Sequence, residues 1–142
     1  MDTDTCIFCR IIAGKAPGYF VYESARVVAF LDIDQAAPGH LLIVPRVHVA
    51  HWWELSAEDA AQIAVVARPL MVALMRAMGA DGVRVLQTNG RAAGQEVFHV
   101  HMHLIPRWTE GRPAGTTRLS AQAMTERAAQ LRAALAEVEK PE

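Results

Sequence analysis

The sequence predicts an α+β domain built on a five-stranded antiparallel sheet with one long helix and a C-terminal helix. Three observations carry that expectation. Short runs rich in β-branched and aromatic residues recur at hairpin spacing, one long stretch repeats its apolar residues every three or four positions, and the strands gather before and after that stretch instead of alternating with helices.

Strands are expected at 21–22 and 27–31, because Val21, Tyr22, Val27, Val28 and Phe30 suit a pleated surface and the polar residues 23–26 between them can turn. After Pro38-Gly39 a third strand is expected over 40–44, ended by Pro45, which has no amide to donate to a ladder. Ser56 then reads as a helix N-cap, with Glu58 and Asp59 in the first turn where acids suit the helix dipole. Ile63, Ala67, Leu70, Met71, Leu74 and Met78 form one apolar stripe, Gly79 closes the helix, and Pro69 predicts a bend near Val65.

Two further strands are expected at 83–87 and 97–105, joined by a loop around Asn89, Gly90 and Gly94. Residues 107–119 are rich in Gly, Pro, Thr and Arg without a period and read as a mobile loop. Ser120 caps a last helix, 120–139, whose Met124, Ala128, Leu131, Leu135 and Val138 suit packing on another helix or on a second subunit.

Composition bounds the rest. The 142 residues fit a single domain, 1–142, and 52% hydrophobic against 20% charged residues excludes intrinsic disorder. Fourteen Lys plus Arg against fifteen Asp plus Glu leave a net charge of -1, so no basic field draws in nucleic acid or an anionic membrane. The apolar stretch 60–78 contains Arg68, Pro69 and Arg76 and is one-sided, so it reads as a core helix rather than a membrane span. The first residues carry acids where an export signal carries Lys or Arg, which points to the cytoplasm. Cys6 and Cys9 then read as a metal or redox pair, with two buried reduced thiols or a disulfide as the plain alternatives.

The sharpest feature is Phe98-His99-Val100-His101-Met102-His103-Leu104. On a strand, side chains alternate, so His99, His101 and His103 are expected on one face with Val100, Met102 and Leu104 on the other. Neighbouring rings would stand about 7 Å apart, the scale of one phosphate with its attacking and departing atoms. Three adjacent imidazoles cannot easily all be charged, so their pKa values are expected to split into an acid and a base.

These residues resemble the His-x-His-x-His motif of the histidine triad (HIT) family of nucleotide hydrolases and transferases. Further segments match in order across about residues 6–107: Cys6-Ile7-Phe8-Cys9, Phe30-Leu31-Asp32-Ile33, Pro38-Gly39-His40, Pro45-Arg46-Val47-His48, Asn89-Gly90 and Gly94-Gln95. The resemblance is strongest to the nucleotide-binding, purine phosphoramidate-hydrolysing branch. Dinucleoside polyphosphate hydrolases come second, and members with glutamine at the last triad position are disfavoured by His103.

The resemblance implies that His101 attacks the α-phosphate and carries the nucleoside monophosphate covalently, that His103 donates to the phosphate or leaving group, and that His40 supports the network. It implies that Asp32 accepts the ribose hydroxyls and that Ile7, Phe8, Ile11, Phe30 and Ile33 hold the purine. Ile7, Phe8, Ile11 and Phe30 would be core in any protein, and Asp32 and Asp34 near a turn have local uses. Asn89, Gly94 and Gln95 would line sugar and phosphate. Glu96 departs from the pattern, standing where a hydroxyl residue commonly assists. Cys6, Cys9, His48 and His99 are implied as a structural zinc site, and a homodimer is implied as the assembly. A zinc-stapled adaptor that binds nucleotide without turning it over is the non-catalytic alternative.

Overall fold

A computed structural model describes residues 3–111 and 118–140. The sheet runs β1 (Phe20–Glu23), β2 (Val27–Leu31), β3 (Leu41–Pro45), β4 (Gly82–Leu86) and β5 (Met102–Arg107) in chain order. In space the order is β1-β2-β3-β5-β4, and every neighbouring pair is antiparallel. Among the described residues three α-helices accompany it: α1 (Ile7–Ile12), α2 (Ala57–Met78) and α3 (Ala121–Glu139). Residues 112–117 of the loop expected at 107–119 lie outside the described residues, and Arg107 ends β5 instead of opening the loop.

All five residues of β2 and of β3 are buried, which one covered face cannot achieve. Val27, Ala29, Leu31, Leu41 and Ile43 point into a core made with α2 and α3, whereas Val28, Phe30, Leu42 and Val44 point the other way onto Cys6 and Phe8 of the N-terminal segment. Strands β2 and β3 are therefore covered on both sides. Helix α1 escaped the sequence reading because six residues are too few to show a period. Its N-cap is Cys6, whose Sγ accepts the Cys9 amide at 3.4 Å.

Helix α2 begins at the predicted cap, with Ser56 Oγ accepting the Asp59 amide at 3.1 Å, and ends at Gly79 in the left-handed conformation. It runs unbroken through Pro69. By length and composition it could cross a bilayer. Its stripe of Ile63, Val66, Ala67, Leu70, Ala73, Leu74 and Met78 is instead buried in the core that also takes Met124, Ala128, Leu131 and Leu135 of α3. The α3 stripe thus meets a helix of its own chain.

The last strand differs from the expectation over 97–105: it starts at Met102. Its ladder with β3 pairs Leu41 with Leu104, Leu42 with His103 and Ile43 with Met102, and stops there. The cause lies two residues further along β3. Pro45 has no amide to offer, and its carbonyl is taken by the ring of His99, whose Nε2 donates at 2.8 Å. Residues 97–101 consequently bend, and Val100 finds a new partner in the Val49 carbonyl at 2.8 Å.

Candidate functional site

The side of the sheet facing α1 carries the site. His103 sits opposite Leu42 on β3 and Leu86 on β4, so its ring shares the face of Phe30 and Phe8. His101, just before the strand, places its ring centroid 4.8 Å from that of His103, and its Nδ1 donates to the His99 carbonyl at 2.7 Å. With the hydrogen on Nδ1, a neutral His101 has a bare lone pair on Nε2. His99 does not join its neighbours, because the bend turns its ring toward the cysteines. The expected row of three rings is a pair plus one.

On the other side of the pair, His40 Nε2 lies 2.8 Å from His103 Nδ1, with Asp32 Oδ2 at 3.5 Å from His40 Nε2. Asp32 and His40 close a loop, the Asp32 amide donating to the His40 carbonyl at 3.0 Å, and Asp32 Oδ1 accepts the Asp34 amide at 2.9 Å. Burial pushes His40 and His103 down to about 4 and lowers His101 as well. Burial also raises Asp32. Burial thus moves His40, His101 and His103 in the same direction, and His99 with them. At neutral pH they are uncharged, and a phosphate arriving beside them would be the charge able to separate them.

These groups open into a cleft of about 770 Å³. Of the residues predicted for the nucleotide, Ile7, Phe8, Ile11, Phe30, Asp32, Ile33, Gly94, Glu96, His101 and His103 line it, together with His40. Ile7 is 45% and Ile33 55% exposed, large apolar side chains left open at the cleft. Asn89 and Gln95 do not line it. Asn89 Oδ1 accepts the Trp52 amide at 2.7 Å. Buried Gln95 accepts the Gly90 amide at 2.7 Å and donates to the Ala50 carbonyl at 2.8 Å, clamping the loop that presents Gly94 and Glu96. Tyr19, Thr88 and Leu86 line the cleft without having been singled out, since none carries a motif. His51 stands apart, stacked on Trp53 at 4.6 Å and donating to Glu54 at 2.7 Å.

Cys6, Cys9, His48 and His99 come together with all four candidate ligand atoms within 4.8 Å of one another. Sulfur to Nδ1 separations are 3.5 Å for Cys6 and His99, 3.3 Å for Cys9 and His48 and 3.5 Å for Cys9 and His99, and the two Nδ1 atoms are 3.1 Å apart. Zinc bonds of about 2.3 Å to sulfur and about 2.0 Å to nitrogen give tetrahedral edges of about 3.5 and 3.3 Å, so the four fit one ion. The His99 ring is already set for it, its Nε2 hydrogen on Pro45 leaving Nδ1 as the lone-pair atom. Burial and the neighbouring Cys6 push the Cys9 thiol up to about 11, a penalty that a cation among the four would reverse.

Comparison with known proteins finds relatives of one family. The sequence model of the HIT domain covers residues 13–110. The chain is 43% identical over 106 residues to an adenosine 5'-monophosphoramidase of Schizosaccharomyces pombe, across 75% of this chain and 77% of that one. Its structure is similar to that of a hypothetical histidine triad nucleotide-binding protein from Sulfolobus tokodaii, with a TM-score of 0.90 and 31% identity over 94% of both chains. It is also similar to a zinc-bound histidine triad family protein from Mycobacterium smegmatis, with a TM-score of 0.85 and 32% identity over 97% of this chain and 98% of that one.

Proposed function

Because this chain belongs to the HIT domain family, we propose that it hydrolyses, or transfers from, purine nucleoside monophosphate conjugates at the α-phosphate. The observation that carries the reading is the His101 ring, hydrogen-bonded through Nδ1 and lining the cleft beside His103. His101 Nε2 forms a bond to phosphorus as the bond to the leaving group breaks, while neutral His103 donates a hydrogen bond from Nε2 to that group, which takes up a proton from solvent. Water then attacks the phosphorus of the nucleotidyl-His101, releasing one proton to solvent and returning His101 neutral. Asp32 accepts the ribose hydroxyls, and Ile7, Phe8, Ile11, Phe30 and Ile33 take the purine. The 43% identical relative's name as an adenosine 5'-monophosphoramidase supports this substrate class.

Cys6, Cys9, His48 and His99 would hold a zinc ion. Such an ion supplies structure, tying the N-terminal segment to the sheet, and its closed ligand set keeps it out of the chemistry. Thiolates held this way suit a reducing, cytoplasmic setting. The proposed assembly is a homodimer joined through β4, an outer strand that leaves Val85 45% exposed, since the α3 stripe is buried within the chain.

The test is to quench a reaction with an adenosine phosphoramidate and weigh the intact protein. Wild type should carry one nucleotide and His101→Ala none. Glu96, an acid at the cleft, favours one other reading, a binder without turnover. An unlabelled, inactive wild type with normal affinity for purine monophosphate would establish that reading, and faster cleavage of a dinucleoside polyphosphate would move the substrate class.

A further inference from the structure

Gln35 is 2% exposed and does not line the cleft, yet every polar atom of its side chain is engaged with the backbone. Its Nε2 donates to the carbonyls of Asp32 at 2.6 Å and His40 at 2.9 Å, and its Oε1 accepts the Gly39 amide at 2.8 Å. One side chain thus pins both ends of the loop 32–40. Within that loop the Ala36 amide points at Nδ1 of His40, 3.2 Å away.

An amide nitrogen has a hydrogen to give and no lone pair to offer, so His40 Nδ1 can only accept. A neutral His40 must then carry its hydrogen on Nε2. That nitrogen is 2.8 Å from His103 Nδ1, which must accept in turn, leaving the His103 hydrogen on its own Nε2. Burial holds both rings neutral, with values of about 4, so the chain of single hydrogens is the state present at neutral pH.

We propose that Gln35 is a positioning residue: by shaping the loop 32–40 it fixes the tautomer of His40, and through it keeps the His103 hydrogen on Nε2, the nitrogen not facing His40. The catalytic consequence rests on the function proposed above, whereas the tautomers do not. A corollary concerns metals. Asp32, His40 and His103 have the donor types and spacing of a metal centre, with their atoms within 4.8 Å of one another. The His40 nitrogen in that group already bears a hydrogen, which bars it as a ligand.

Nitrogen-15 NMR of histidine-labelled protein reads the tautomers directly. Wild type at pH 7 should show His40 and His103 both protonated at Nε2. Gln35→Ala should turn His40 into a mixture. Gln35→Glu, which keeps the length but replaces the donor by a carboxylate facing two carbonyls, should do the same even where the alanine variant fails to fold. In both variants kcat should fall with the share of His103 that has lost its Nε2 hydrogen, about twofold for an even mixture, with KM within about twofold. Wild-type His40 protonated at Nδ1 would overturn the proposal. So would wild-type tautomers in a folded Gln35 variant, or a second metal equivalent lost in Asp32→Asn. Correct tautomers in a protein without phosphoramidase activity would overturn the function and leave the proton chain standing.

Discussion

The Nδ1 atom of His101 lies 2.7 Å from the carbonyl oxygen of His99, and the His99 ring is itself one of the four candidate metal ligands. One residue therefore faces two sites, giving its backbone to the ring of the first and its side chain to the second. Whatever holds the His99 ring in place also holds the carbonyl that orients His101.

His101→Ala should lower turnover by about a thousandfold or more, since the nucleophile itself is removed. Steady-state rates with an adenosine phosphoramidate check this. A comparison of melting temperatures separates lost chemistry from lost folding.

Removing the proposed zinc should act at both sites. Chelation, or Cys9→Ser, is expected to lower the melting temperature by about 5–10 °C, equivalent to about 2 kcal/mol for a chain of this size. It should also lower kcat, because the His99 carbonyl loses its anchor. Scanning calorimetry and kinetics with and without added zinc would show the two effects together. A melting temperature unmoved by chelation would argue against the metal.

Stability should fall in mild acid. His40 and His103 are held near 4 in the folded state against about 6.5 when unfolded, so below pH 6.5 the unfolded chain takes up protons that the folded chain refuses. Their contribution is complete above pH 6.5, declines as the pH drops toward 4 and levels off below. Denaturant unfolding at stepped pH should show that slope for wild type and a shallower one for His40→Gln.

Phe8 meets Phe30, His99 and His101 edge to face, with centroids 5.4, 5.9 and 5.0 Å away. Phe8→Ala should destabilise the fold by about 3 kcal/mol, the usual scale for a buried aromatic ring. It should weaken binding of a purine monophosphate as well, because the same ring lines the cleft. Urea titration and calorimetric binding measure the two separately.

The sheet and both long helices were legible because their signals are local: β-branched runs for β2 and β3, Ser56 and Gly79 at the ends of α2, Ser120 before α3. The cysteine and histidine residues of the proposed zinc site could be named from the resemblance, and the structure brings them together. What stayed hidden depends on contacts distant in sequence. The start of β5 is set by Pro45, more than fifty residues earlier, and no alternation within 97–105 reveals it. Helix α1 is stabilised by Phe8 packing on the sheet and not by any periodicity of its own. Gln35 and Gln95 look like polar loop residues because their partners are backbone atoms, which leave no mark in composition.

Pro45 has a wider reach than its place at the end of a strand implies. By halting the zipper between β3 and β5 two rungs short, it splits a run of three identical residues into separate workplaces. An amide-bearing residue there could let pairing continue and draw the first imidazole away from the cysteines, trading a stapled N-terminal segment for a longer sheet. A motif written in histidines is thus given its division of labour by an imino acid.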